Sequence, residues 1–330
     1  MRTRMTSRFG LLERVRPEVR VSQVMMELNI RPLSQHIPFG VRISGINSIN
    51  VREGGVCAKI RDIFDSAGLI VFEDMEPSNQ MQALVSEMFG TLQGNRPGAS
   101  VADGEGVAGF VELEHGDICE LDGEEVMSFL PWHFDQCYNK ILTRGGVLRA
   151  LDIVPEGGLT GFADGIQIYN AIDPVLRKEF ELHNILYQSS LIFWHMKFGR
   201  PRSYSSIKAR QMVINQIPLA KARRSIHPAI WQRETGERVM HVSPMQAAGI
   251  DGMENSEGNA LLEALCQEMY EKMTPYYHEW RPTDMVIWDN CRFIHSVTGH
   301  SPKWHRKMRR TIVYGDYGLG RFEHESATAT

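Results

Sequence analysis

Apolar positions along this chain fall into two spacings: short runs bounded by Gly, Pro and Asn, and a few stretches at helical period. Leu28 to Gly45 shows the first kind and predicts strands joined by turns. Between Val56 and Ala67 the residues Val56, Ile60, Ile63 and Phe64 recur at helical spacing, Gly68 stops the helix, and Leu69 to Phe72 follows as an apolar strand. Pro77 to Met88 predicts a second helix, with Met81, Leu84, Val85 and Met88 inward and Gly90 as its stop. Residues 94–128 are glycine-rich and acidic with few core-like runs, which predicts a long irregular loop at an active site. Strand patterns return at Gly145 to Ile153 and at Val286 to Asn290. An amphipathic helix is predicted over Gly258 to Met273, with Leu261, Leu265 and Met269 on one stripe. There is no internal repeat, low-complexity tract or linker, so residues 26–330 are expected to form one domain, with an insertion at about 167–224.

One run sets charge against this pattern. From Arg306 to Tyr314, alternation places Arg306, Met308, Arg310, Ile312 and Tyr314 on one face, so two arginines share a face with apolar side chains. A guanidinium in such a place needs an anionic partner, and its planar fork suits a carboxylate. The alternative is a solvated basic patch of Lys303, His305, Arg306, Lys307, Arg309 and Arg310 that binds nucleic acid or a membrane. A net charge of −4 over 330 residues argues against general nucleic-acid affinity, and no apolar run is long enough to span a bilayer. With 42% hydrophobic residues the chain can bury a substantial core. Five widely spaced cysteines (Cys57, Cys119, Cys137, Cys266, Cys291) without a C-x-x-C pair read as reduced thiols of a cytoplasmic protein. The first 24 residues hold six arginines, no lysine and two acidic residues, with no secretory hydrophobic core; residues 1–25 are expected to be a disordered extension.

The step His133-Phe134-Asp135, with His295 lying 160 residues beyond Asp135, supplies two imidazoles and a carboxylate. That donor set leaves one face of a metal open and is the set of non-haem Fe(II) oxygenases. On a strand, His133 and Asp135 project from one face and grip one ion together, while Phe134 points away. Val286 to Asn290 leads as a buried strand into the loop expected to carry His295. Cys137 would share the ligand face of a continuing strand, and a core thiol beside the pocket is preferred to a fourth ligand.

Taken with the stretches Phe39-Gly40-Val41-Arg42-Ile43-Ser44-Gly45, Gly68-Leu69-Ile70-Val71-Phe72, Phe89-Gly90, Trp132 to Asp135, Pro155 to Asp164, His227-Pro228, Thr235-Gly236 and Trp288-Asp289-Asn290, this pattern resembles the taurine dioxygenase (TauD/TfdA) family of Fe(II)/2-oxoglutarate-dependent dioxygenases, from about Leu28 to Phe322. The resemblance implies a mainly β fold with flanking helices, built on a double-stranded β-helix of the jelly-roll or cupin kind. It implies that His133, Asp135 and His295 ligate Fe(II). Arg306, eleven residues after His295, would bind the distal carboxylate of 2-oxoglutarate with Thr160, and Arg310 would hold an anionic substrate. Asn95, Phe129, Met245 and Gln246 are further candidate pocket residues. Where taurine-specific members have a histidine this chain has Asn95, so taurine is not the expected substrate. Phe193, Trp194, His195 and Phe198 would either cover the site as a lid or pack the insertion onto the barrel.

The activity implied is oxidation of a C–H bond of a small organic anion, with O2 consumed and succinate and CO2 released. Because Asp135 is kept where halogenating relatives have a small residue, hydroxylation or desaturation is expected. The Met- and aromatic-rich surroundings of the insertion suit an apolar or aryl substrate body, and related enzymes are commonly dimers or larger. Two other readings stay open: a metal-dependent hydrolase or lyase on a cupin-like barrel, with Zn²⁺ activating water, and a non-catalytic small-molecule binder.

Overall fold

Two β-sheets face each other and carry the candidate residues between them. The larger has seven strands in the order Asn29–Pro32, Val41–Ser44, Leu69–Phe72, Met285–Trp288, Val147–Asp152, Lys307–Thr311 and Phe110–Leu113. The smaller runs Tyr276–His278, Thr160–Asp164, Phe293–Val297 and Leu130–His133. Neighbours in both are antiparallel, apart from the parallel pair of Val41–Ser44 with Leu69–Phe72. The computed structural model describes residues 28–93, 109–114, 116–188, 196–201, 203–208 and 223–325.

The two-residue period of a strand explains how one sheet serves two cores. Ile70, Phe72, Met285 and Ile287 point outward and join Ile60, Phe64, Met81 and Val85 of the helices Gly54–Ala67 and Asn79–Glu87. Their neighbours Leu69, Val71, Val286 and Trp288 point inward and meet Met308, Phe162 and Phe293 between the sheets. Ala163 and Ile294, on the far face of the smaller sheet, belong to a third cluster with Phe134, Leu262, Leu265 and Met269. Two facing sheets with helices outside are the arrangement expected of a double-stranded β-helix.

The first helix stops at Gly68 as expected, whereas the second is shorter than expected and spans Asn79–Glu87. Gly68, at φ 72°, caps the first helix in the left-handed conformation and donates its N–H to the Phe64 carbonyl. Ser78 caps the second by accepting from the Met81 N–H at 3.1 Å. Buried Arg149 then fastens that helix to the sheet through Gln82, the Pro77 carbonyl and Asn79.

Several expectations need correction. Residues 94–128 are not one irregular loop: Phe110–Leu113, Ile118–Leu121 and Glu124–Met127 are strands, each only four residues long and interrupted by one or two glutamates. His295 lies inside the strand Phe293–Val297 rather than in a loop, and all five residues there are buried, so no alternation marks the strand. The inward face at the C-terminal end stops at Arg310, because the strand ends at Thr311 and Tyr314 is half exposed. In the helix Ser256–Lys272 the buried stripe is Leu262, Leu265, Cys266 and Met269, with Leu261 at its edge. Phe198 belongs to the main core cluster; Phe193, Trp194 and His195 lie outside the described residues, as does the N-terminal segment up to residue 27.

Candidate metal centre and anion site

His133 ends its strand and pairs directly with His295 on the neighbouring one. Asp135 sits two residues further, in a turn rather than on a continuing strand, and Gln136 behind it adopts φ 56°. The turn brings Asp135 Oδ2 to 3.6 Å from His295 Nε2, and the two imidazole centroids lie 4.2 Å apart. One donor atom from each of the three residues falls within 4.8 Å of the others, the arrangement of a three-ligand metal site. Phe134 points away, fully buried and stacked on His241 at 3.8 Å. Cys137 is also fully buried and donates to Gln246 Oε1, the core position expected of it.

Electrostatics prepare these donors. Burial is the largest influence on both histidines and holds His133 below, and His295 well below, the ordinary imidazole range, so each is neutral near pH 7 with a lone pair to give. The Pro131 carbonyl, 2.7 Å from His133 Nδ1, fixes the proton there and leaves Nε2 for a metal. Burial would raise the Asp135 carboxyl, but the Arg310 guanidinium beside it outweighs burial and holds the group ionised. Among the described residues Asp135 Oδ2 has only the Arg310 guanidinium beside it, and an ion placed between this oxygen and His295 Nε2 would complete its surroundings.

Arg306 and Arg310 approach from the opposing sheet. Arg310 places a guanidinium nitrogen 2.5 Å from Asp135 Oδ2 and lies over the Trp288 ring. Arg306 has neutral neighbours instead: its Nε donates to the Gly158 carbonyl at 3.0 Å and an NH2 reaches Thr160 Oγ1 at 3.4 Å. Among the described residues no carboxylate pairs with it, and burial pushes its guanidinium down to about 10. A cavity of about 430 Å³ borders Arg306, Trp280, Gly158 and Met308, so an anion has room to reach it from that end; the three metal donors do not line this cavity. Gly158, at φ 63°, makes the close approach possible, since a Cβ there would lie 3.0 Å from Arg306 Cδ.

Residues 29–312 match the family described as "Taurine catabolism dioxygenase TauD, TfdA family". The chain belongs to this family. With that membership the enzyme class expected from the sequence, a 2-oxoglutarate-dependent dioxygenase that uses a metal, is borne out. Among the relatives of this TauD/TfdA-family chain, the (S)-phenoxypropionate/alpha-ketoglutarate-dioxygenase of Sphingobium herbicidovorans is 27% identical over 84% of this chain and 92% of its own. The alpha-ketoglutarate-dependent 2,4-dichlorophenoxyacetate dioxygenase of Cupriavidus pinatubonensis is 24% identical over 83% and 94%. The crystal structure of AAD-2 in complex with Mn(II) and N-oxalylglycine has the same fold, with a TM-score of 0.66, 21% identity and coverage of 89% and 100%.

The remaining candidates of this family member are spread more widely. Asn95 lies outside the described residues. Phe129 and Met245 meet in a small apolar cluster with Cys119. Phe129 also lines a separate cavity of about 340 Å³ with Trp132 and Ser296, which alternate with His133 and His295 along their strands. Gln246 accepts hydrogen bonds from Cys137 and Ser243. Two residues went unassigned in the sequence. Trp280 donates its indole N–H to Thr160 Oγ1 at 3.0 Å, and Asn290 bonds the backbone of Asp135. Local patterning carries no signal for Trp280, whereas Asn290 stood in a motif that matched the family without a role.

Proposed function

We propose that His133, Asp135 and His295 hold Fe(II), that Arg306 and Thr160 bind the distal carboxylate of 2-oxoglutarate, and that Arg310 faces the anionic group of the substrate. The guanidinium of Arg306, buried beside Thr160 and without a carboxylate partner among the described residues, is the observation that carries this reading. An uncompensated buried charge is costly, and a dicarboxylate relieves it. When bound, the iron and 2-oxoglutarate supply O2 activation coupled to decarboxylation to succinate, chemistry no protein side chain provides.

The chain contributes position and charge. Because Thr160 Oγ1 accepts from the Trp280 indole, its own O–H is left to donate to a carboxylate. The neutral imidazoles and the ionised Asp135 give the metal one negative charge from the protein, and Arg310 tempers it. Met308, Trp288 and Phe162 wall the space between the sheets and exclude water from it. The substrate is a small organic anion with an apolar or aryl body, the class to which the phenoxypropionate and dichlorophenoxyacetate of the named relatives belong. Hydroxylation is the expected outcome. No helix among the described residues is long and apolar enough to cross a membrane, and all five cysteines are unpaired, in keeping with a cytoplasmic enzyme.

Succinate formation in air tests this. Purified protein with Fe(II) and 2-oxoglutarate is offered aryloxyalkanoates, alkyl and aryl sulfonates and aliphatic carboxylates. Stimulation by at least one class, with aryloxyalkanoates ahead of small sulfonates, is the expected result. Turnover with Zn²⁺ and without 2-oxoglutarate would replace this reading with that of a hydrolase or lyase.

A further inference from the structure

We propose that Asn290 is the positioning residue of Asp135, standing in for a missing strand; this rests on the metal-site reading above. Of the three donors, His133 and His295 are held by the sheet, His295 being paired with both His133 and Phe162. Asp135 lies past the end of its strand, in a turn that continues through left-handed Gln136. No sheet ladder fixes it. Instead the Asn290 side chain takes both of its backbone polar groups: Oδ1 accepts from the Asp135 N–H at 2.8 Å, and Nδ2 donates to the Asp135 carbonyl at 3.1 Å. A neighbouring strand offers the same donor and acceptor pair through its peptides. The side-chain amide therefore adds one rung to a ladder that has otherwise ended.

The orientation of that amide is dictated. Asp135 N–H only donates and must face Oδ1, while Nδ2 faces the Asp135 carbonyl, the Thr143 carbonyl at 3.1 Å and Thr143 Oγ1 at 3.2 Å. Turning the amide over would set acceptor against acceptor. Asn290 is itself immobilised: fully buried, it donates its N–H to the Arg144 carbonyl at 2.9 Å, and its own carbonyl accepts from His241 Nε2 at 2.9 Å. His241 stacks on Phe134, the residue between His133 and Asp135, which closes a ring of contacts around the ligand pair. The work is divided, with Asn290 setting the backbone of Asp135 and Arg310 the direction of its carboxylate.

The test is the affinity of metal-free protein for Mn(II), read by electron paramagnetic resonance of the unbound ion, in wild type, Asn290→Ala, Asn290→Asp and Thr143→Val. Partners that orient a metal ligand are typically worth about 10- to 100-fold in metal affinity. Asn290→Ala is expected to weaken Mn(II) by that factor while 2-oxoglutarate affinity at saturating metal moves less than about threefold. Asn290→Asp keeps the shape and the acceptor but loses the donor, and is expected to lose at least tenfold; it carries the test if the alanine variant does not fold. Thr143→Val removes a contact of the same amide without touching Asp135 and is expected to stay within about threefold. Wild-type affinity in both Asn290 variants, or an equal loss in Thr143→Val, overturns the proposal alone. Wild-type protein that takes up no Mn(II) overturns the metal-site reading and the proposal with it.

Discussion

Arg306 lies just before one strand and Arg310 near its far end, four positions apart and facing the same interior, yet they meet different company. Arg310 has a carboxylate at 2.5 Å and an indole ring beneath it. Arg306 has a carbonyl, a hydroxyl and a cavity. One cation is compensated from within the chain and the other is left for a ligand to compensate. On the proposed reading the first tunes the metal end and the second receives an anion, although nothing in the alternation of the strand tells the two apart.

The largest break in this comparison is expected from removing a residue of the proposed metal trio. His133→Ala is expected to abolish metal-dependent succinate formation, by at least about 1,000-fold, since even residues that only orient ligands are worth about 10- to 100-fold in metal affinity. Next is Arg306→Ala, which deletes a charge-assisted fork worth about 2–3 kcal/mol. The KM for 2-oxoglutarate should rise about 100-fold, with the substrate KM little changed, in steady-state assays that vary each in turn. Arg310→Ala should do the reverse, raising the substrate KM about tenfold and moving that for 2-oxoglutarate less than about threefold. Equal effects of both changes on both ligands would contradict the division of roles.

The smallest effect is the sharpest contrast. Without metal or co-substrate, Arg306→Met removes a buried charge that has no carboxylate partner among the described residues and should leave the thermal midpoint unchanged or a little higher. Arg310→Met strands the Asp135 carboxylate and should lower it by several degrees, for a loss of about 1–3 kcal/mol. Differential scanning fluorimetry of the two apo variants distinguishes them, and a parallel response would erase the distinction drawn here.

What the sequence made legible was the chemistry held in short steps. His133, Asp135, His295, Arg306 and Thr160 were visible because their spacing or their family motif is local, and the helices Gly54–Ala67 and Asn79–Glu87 because their period is. The strand of His295 was missed because Phe293–Val297 is buried on both faces, which erases the two-residue signal. Strands within 94–128 were missed because four residues with charges among them look like loop. The pairing of Arg310 with Asp135 and the hold of Asn290 on the same residue join positions 155 or more apart in sequence, where no periodicity reaches.

The central claim is that the metal trio and Arg306 act on one co-substrate. Anaerobic titration of the protein with Fe(II) and 2-oxoglutarate, followed in the visible range, addresses it most directly. A weak charge-transfer band should form only when both are present and should be absent in His133→Ala, while Arg306→Ala should need about 100-fold more 2-oxoglutarate to reach it. No band in folded, iron-loaded wild-type protein, or a band whose 2-oxoglutarate dependence Arg306→Ala leaves untouched, would contradict the account.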